Sequence, residues 1–189
     1  TNIFDQSSIF HNPIDISLDT INKTEGNASI KISAKANKAS SYYYFAVNMK
    51  IGLSGAKHNL SKFHYLMVDV KGVKGTEFHG LLFRCNGAIY RLPIVNEKDE
   101  IIPFVILDNE FKTYVIDLTR YLDGSECIYN SHKYIIDNIT DFDIYFRSKE
   151  YSIINVDNFV GFNDLSYASN NSGIVKEENQ DNSIVIMKN

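Results

Sequence analysis

The sequence predicts an all-β domain, a two-sheet antiparallel β-sandwich of the jelly-roll type, and three observations carry that expectation. The residue bias runs to β-formers, with 12 Tyr and 12 Phe beside many Ile and Val, against only 3 Pro; these are the shapes that fit a pleated, half-buried surface. Apolar residues recur with a period of two along most of the chain, as strands with one buried face require. Only Leu118 to Leu122 and Ser61 to Phe63 have the spacing of a helical turn, so about eight or nine strands with irregular connections are expected.

The strands follow in order. Ala28, Ile30, Ile32 and Ala34 alternate with Ser29, Lys31 and Ser33 after the turn-like Glu25-Gly26-Asn27. Tyr43, Phe45, Val47 and Met49 alternate with Tyr42, Tyr44, Ala46 and Asn48, which puts aromatics on both faces of one strand. Leu66, Val68 and Val70 lead to a stop at Gly72, and Leu81, Phe83 and Cys85 to the pair Asn86-Gly87. Both residues of that pair tolerate positive φ, so a two-residue hairpin returns through Ile89 to Ile94. Tyr114, Ile116 and Leu118 mark another strand, and Phe142, Ile144 and Phe146 the next. Ile153 to Phe162 makes the last long strand, with a bulge or bend at Asp157-Asn158.

At 189 residues the chain is the size of one domain rather than two. Residues 1–168 are assigned to the sandwich, and the polar stretch 169–189 to a linker or tail. An opening Thr1 in place of Met suggests a processed or excised segment of a larger protein, with covalently linked neighbouring domains. A formal net charge of −4 supplies no basic field for a phosphate backbone, so nucleic acid is not an expected partner. The chain has no run of 18 apolar residues, so no membrane insertion is expected, and any export signal is expected to have been removed. Two cysteines, Cys85 and Cys127, are too few for a disulfide framework and lack metal-ligand spacing. A buried free thiol at Cys85 and a Cys85 to Cys127 bridge both stay open.

Catalytic signatures are absent: no GxSxG, HExxH, CxxC or phosphate loop occurs. The five histidines stand singly, mostly beside turns, and read as solvated surface residues. Paired carboxylates flanking a glycosidic bond are the remaining catalytic option, with Asp117, Asp143 and Glu150 the candidates.

Positive chemistry lies on one strand face. With Phe45, Val68, Phe83 and Phe146 inward, the opposite positions are Tyr42, Tyr44, Asn48, Arg84, Asn86, Tyr145 and Arg147. Sugars call for this mixture, because the C–H face of a pyranose packs on flat rings while its hydroxyls need planar donors and acceptors. The same residues would also serve as ordinary cover for a wet sheet face.

The runs Glu25-Gly26-Asn27-Ala28-Ser29-Ile30-Lys31-Ile32, Phe63-His64-Tyr65-Leu66-Met67-Val68-Asp69-Val70-Lys71-Gly72 and Ile154-Asn155-Val156-Asp157-Asn158-Phe159 resemble jelly-roll carbohydrate-binding modules of the galactose-binding-like superfamily. The likeness spans about residues 1–168. It implies a non-catalytic, polysaccharide-binding module of a larger secreted or cell-surface bacterial protein, one that degrades glycans or sits on the surface. It further implies one structural calcium, for which the matching positions are Asp5, the carbonyls around Thr24 and Asn27, Glu25 and Asp157. Such modules commonly stack sugars on Trp; this chain has none, so either Tyr serves or that site is lost. Two other functions compete: a structural or adhesion module that binds protein, and a jelly-roll glycosidase or polysaccharide lyase.

Overall fold

The computed structural model describes residues 4–8, 14–35, 43–50, 62–85, 88–123, 126–129, 141–148, 151–171, 174–175 and 186–187. In chain order the strands are β1 (Phe4–Ser8), β2 (Ile14–Asp19), β3 (Ser29–Ala34), β4 (Tyr43–Lys50), β5 (Tyr65–Gly72), β6 (Glu77–Cys85) and β7 (Ala88–Leu92). Three short pieces follow, β8 (Ile94–Val95), β9 (Ile101–Ile102) and β10 (Val105–Ile106). Then come β11 (Lys112–Asp117), β12 (Arg120–Asp123), β13 (Glu126–Tyr129), β14 (Asp141–Ser148) and β15 (Ser152–Phe162), and after these helix α1 (Leu165–Asn171) and the pair β16 (Ile174–Val175) and β17 (Ile186–Met187).

Two antiparallel sheets form the sandwich. The front sheet has the order β1-β4-β14-β6-β7-β12-β13, with β10 also paired to β6; the back sheet has the order β2-β3-β15-β5-β11-β8-β9. The late strands β14 and β15 therefore sit inside their sheets, each between an early and a middle strand. Between the sheets lies the core, in which Ile32, Val68, Val70, Phe78, Leu81, Leu92, Ile94, Ile116, Ile144, Phe146 and Ile154 are all buried. Alternation in the sequence maps directly onto this core: Val68 and Val70 of β5, Ile144 and Phe146 of β14, and Ile32 of β3 point inward at every second position.

The long strands and the bulge come out as the sequence predicts. Cys85 pairs with Ala88 across a two-residue connection, and β15 slips register between Asp157 and Val160, where Asn158 has φ 51°. Two expectations are corrected. Leu118 to Leu122 is not a helical turn: β12 runs through it, paired to β13 and β7. A helix forms instead at Leu165–Asn171, where the Ser166 N–H donates to Asp164 Oδ1 at 3.0 Å, an N-terminal cap. It lies on the outer side of the back sheet, where Ala168 closes a small second core with Met67, Val95, Val115 and Phe162. Ser61 lies outside the described residues. Among the described residues no helix is long and apolar enough to cross a membrane.

Candidate functional site

The outer side of the front sheet is built from β4, β14, β6 and β10. On β14, Ile144 and Phe146 face the core, so Asp143, Tyr145 and Arg147 face outward. The ladder sets Tyr44 opposite Arg147, Ala46 opposite Tyr145 and Asn48 opposite Asp143, while Arg84 is the partner of Asp141. The backbone register thus gathers Tyr44, Asn48, Arg84, Tyr145 and Arg147 at neighbouring positions of one sheet. Side-chain placement at Tyr44, Asn48 and Arg84, and all of Tyr42 and Asn86, lie outside the described residues.

A bulge at Gly80 on β6 adds groups that period-two reading does not reach. Gly80 takes φ 89°, and Phe78 and Leu81 both enter the core, opposite Phe146 and Ile144. Glu77 and His79 consequently turn outward, yet both are buried. His79 is therefore not the solvated surface residue the sequence suggested. Its ring stacks on Phe104, at 5.2 Å between centroids and 26° between planes, and tilts against Tyr145 at 5.3 Å. Phe104 precedes Val105, which is buried in the core, so Phe104 and Ile106 lie on the outer side with Ile106 exposed.

Among the described residues, Glu77 is a carboxylate on which charge is paired on this face. Arg147 Nη2 donates to Glu77 Oε1 at 2.5 Å, and Glu77 Oε2 lies 3.0 Å from His79 Nε2. Burial would push the Glu77 carboxyl up, but the bonds from Arg147 and His79 hold it below its usual range. Burial pushes the His79 imidazole down to about 4 against the pull of Glu77. At neutral pH the ring is then neutral and the carboxylate ionised, so Nε2 carries the proton and donates. Arg91 reaches in from β7, donating from Nε to His79 O at 3.2 Å and from Nη2 to Pro103 O, with its guanidinium carbon 6.0 Å from the centre of the Tyr145 ring. Rings, a part-buried ion pair and a guanidinium thus converge on one sheet. That arrangement presents flat apolar surface beside fixed donors and acceptors.

The residues named for calcium lie on the other sheet. Thr24 N and Glu25 N donate to Asp157 Oδ2 at 2.7 and 3.0 Å, Thr24 Oγ1 at 3.2 Å, and Asn158 N to Oδ1 at 2.9 Å. Asp69, the ladder partner of Asp157, accepts from Thr24 Oγ1, Thr113 Oγ1 and Asn158 Nδ2. Thr24, Glu25 and Asp157 are therefore brought together, with Asn27 exposed on the same turn; the Asp5 side chain is outside the described residues. N–H and O–H donors converge on the Asp157 carboxylate, three of them on Oδ2 and one on Oδ1. Among the described residues no group of three or more His, Cys, Asp or Glu side chains has metal-holding geometry.

Asp117 and Asp143, the carboxylates considered for hydrolysis, stand on different sheets. Asp117 is occupied by Thr119 N, Thr119 Oγ1 and Arg120 Nε. The two therefore cannot flank one bond. Glu150 lies outside the described residues.

No protein-family model matches the chain, and no curated protein matches it. Solved structures share its fold. It is similar to the family 11 carbohydrate-binding module of the cellulosomal cellulase Lic26A-Cel5E of Clostridium thermocellum, at 13% identity and a TM-score of 0.54, over 87% of this chain and 91% of that one. It is also similar to a family 30 carbohydrate-binding module, at 12% identity and a TM-score of 0.53, over 86% and 87% of the two chains. An exo-β-agarase matches at 10% identity and a TM-score of 0.50, over 93% of this chain and 25% of the enzyme. The chain has the β-sandwich fold of carbohydrate-binding modules, the fold that its sequence resemblance implied.

Proposed function

We propose that this chain is a non-catalytic carbohydrate-binding module that takes a polysaccharide on the outer side of the front sheet. The observation that carries this reading is the row Tyr145, His79 and Phe104 beside the Arg147–Glu77 pair, on a fold shared with such modules. Tyr145 supplies ring surface, and Arg147, held by Glu77, supplies a fixed donor. Tyr44, Asn48 and Arg84 extend the site by register, and Tyr42 and Asn86, adjacent to those strands in sequence, belong to the same proposal. A shallow sheet face gives modest affinity and reads a run of sugar units rather than one enclosed residue. Attachment to a larger secreted or surface protein belongs to the same proposal. A match covering a quarter of an agarase supports it, because there the same fold is one part of a longer enzyme.

A glycan-array screen of plant and microbial polysaccharides tests the function, with Tyr145→Ala and Arg147→Ala alongside. Selective binding that falls about tenfold in either variant is expected, the loss of one ring contact or charged hydrogen bond. A folded protein that binds no glycan would overturn the reading and favour a protein-binding module, for which the exposed Leu18 and Ile21 offer apolar contact.

Calcium at Asp5, Thr24, Glu25, Asn27 and Asp157 rests on the sequence resemblance alone. Melting with added calcium and with chelator decides it: a saturable rise in Tm supports the ion, and an unchanged Tm removes it from the site.

A further inference from the structure

Phe104 does not come from a long strand of the front sheet. The chain leaves that sheet after Leu92, adds β8 and β9 to the back sheet, and returns as β10. Pro103 and Phe104 are the whole of the return crossing between Ile102 and Val105. So short a crossing has no slack, and where the Phe104 ring comes to rest is fixed by what holds this dipeptide down. Arg91 does so through Pro103 O, and is itself anchored to the sheet by donating to His79 O of β6 and by lying over the Tyr145 ring.

The geometry points to Phe104 as the ring on which a pyranose packs its C–H face, and to Arg91 as the positioning residue that holds Phe104 on the sheet. The inference rests on the sugar-binding reading of this face. Phe104 is half-buried, backed by the His79 ring at 5.2 Å, with the exposed Ile106 two positions along the same strand side. A ring supported from behind and carrying no polar atom suits a sugar face free of axial hydroxyls. It also answers the absence of Trp, since the platform is an aromatic delivered by a crossing rather than by a strand. Arg91 spends Nε and one Nη2 donor on the His79 and Pro103 carbonyls, which ties its position to the crossing that carries Phe104.

The test is a double-mutant cycle in affinity, using cellohexaose and agarohexaose as probes on wild type, Phe104→Leu, Arg91→Lys and the double variant, with Tm recorded for each. Phe104→Leu keeps apolar volume and removes the ring, so it separates stacking from folding; Phe104→Ala is the harsher companion. Phe104→Leu is expected to weaken binding about tenfold. Arg91→Lys, which cannot span two carbonyls at once, is expected to weaken wild type by a similar factor and to add nothing in the Phe104→Leu background. Wild-type affinity in Phe104→Leu overturns the platform, and independent, multiplying losses overturn the positioning role. Binding of neither probe by wild type, which is measured first, defeats the inference; the glycan array then shows whether the sugar-binding reading falls with it.

Discussion

At the level of single residues, the outward face shows what alternation can and cannot reveal. Tyr145 and Arg147 are legible because Ile144 and Phe146 fix the parity of β14. Glu77 and His79 are not legible, because Gly80 inserts a step into β6 and lets Phe78 and Leu81 both face the core across an odd spacing. Burial of His79 is set by Phe104, distant in sequence, so a reading of neighbours finds only a lone histidine near a glycine. That burial has a pH signature. In the fold His79 resists protonation until about pH 4, whereas the unfolded chain takes the proton near 6.5, so stability falls as pH drops through that window. Glu77, held below its usual value, contributes stability above about pH 4.5 that is lost as pH falls further. Melting curves between pH 7 and 4 should show a declining Tm, flattened in the upper part by His79→Gln; an unchanged slope in that variant would assign the decline elsewhere. Asp157→Ala should lower stability by about 2 kcal/mol, since it strips the acceptor from three backbone N–H groups. Urea unfolding measures it.

Elements differ in how much of their cause is local. The strands of the core announce themselves through β-branched residues at every second position, and Asn86-Gly87 announces the β6–β7 connection through its tolerance of positive φ. Strand β12 does not, because Leu118 and Leu122 have helical spacing while Arg120, drawn to Asp117 and Asp99, and pairing with β7 and β13 hold the segment extended. Helix α1 is too short to show a period: Leu165, Ala168 and the Tyr167 ring against Phe162 make its apolar contacts, and only the Asp164 cap signals its start. The Gly80 bulge is the element most sensitive to a single change. A Cβ there would stand 2.7 Å from Leu92 O, on a backbone at φ 89° that L side chains rarely adopt. Gly80→Ala should therefore cost at least about 2 kcal/mol and weaken glycan binding by re-aiming His79. Chemical denaturation and affinity, read together, check both.

For the molecule as a whole, the ladders settle what composition left open. Cys85 on β6 and Cys127 on β13 are separated by β7 and β12, three strand spacings or roughly 14 Å, whereas a disulfide needs Cα atoms within about 7 Å. Thiol titration of the denatured, unreduced protein should find two free cysteines per chain, and reductant should leave Tm unchanged. Fold class was legible because it depends on residue type and period summed over many segments. Strand order was not, since Val156 pairs with Ile30 for reasons that emerge only when the whole core closes.

The placing of β14 and β15 has a consequence for how such a chain is made. β14 joins β4 to β6 in one sheet, and β15 joins β3 to β5 in the other. A ribosome releasing the chain from its N-terminus therefore delivers two half-sheets on each layer, none able to meet its neighbour until residues 141–162 emerge. Neither layer can close until β14 and β15 have been made. A transcript truncated before this keystone pair would yield a protein with four unpaired inner edges, fit for aggregation rather than function.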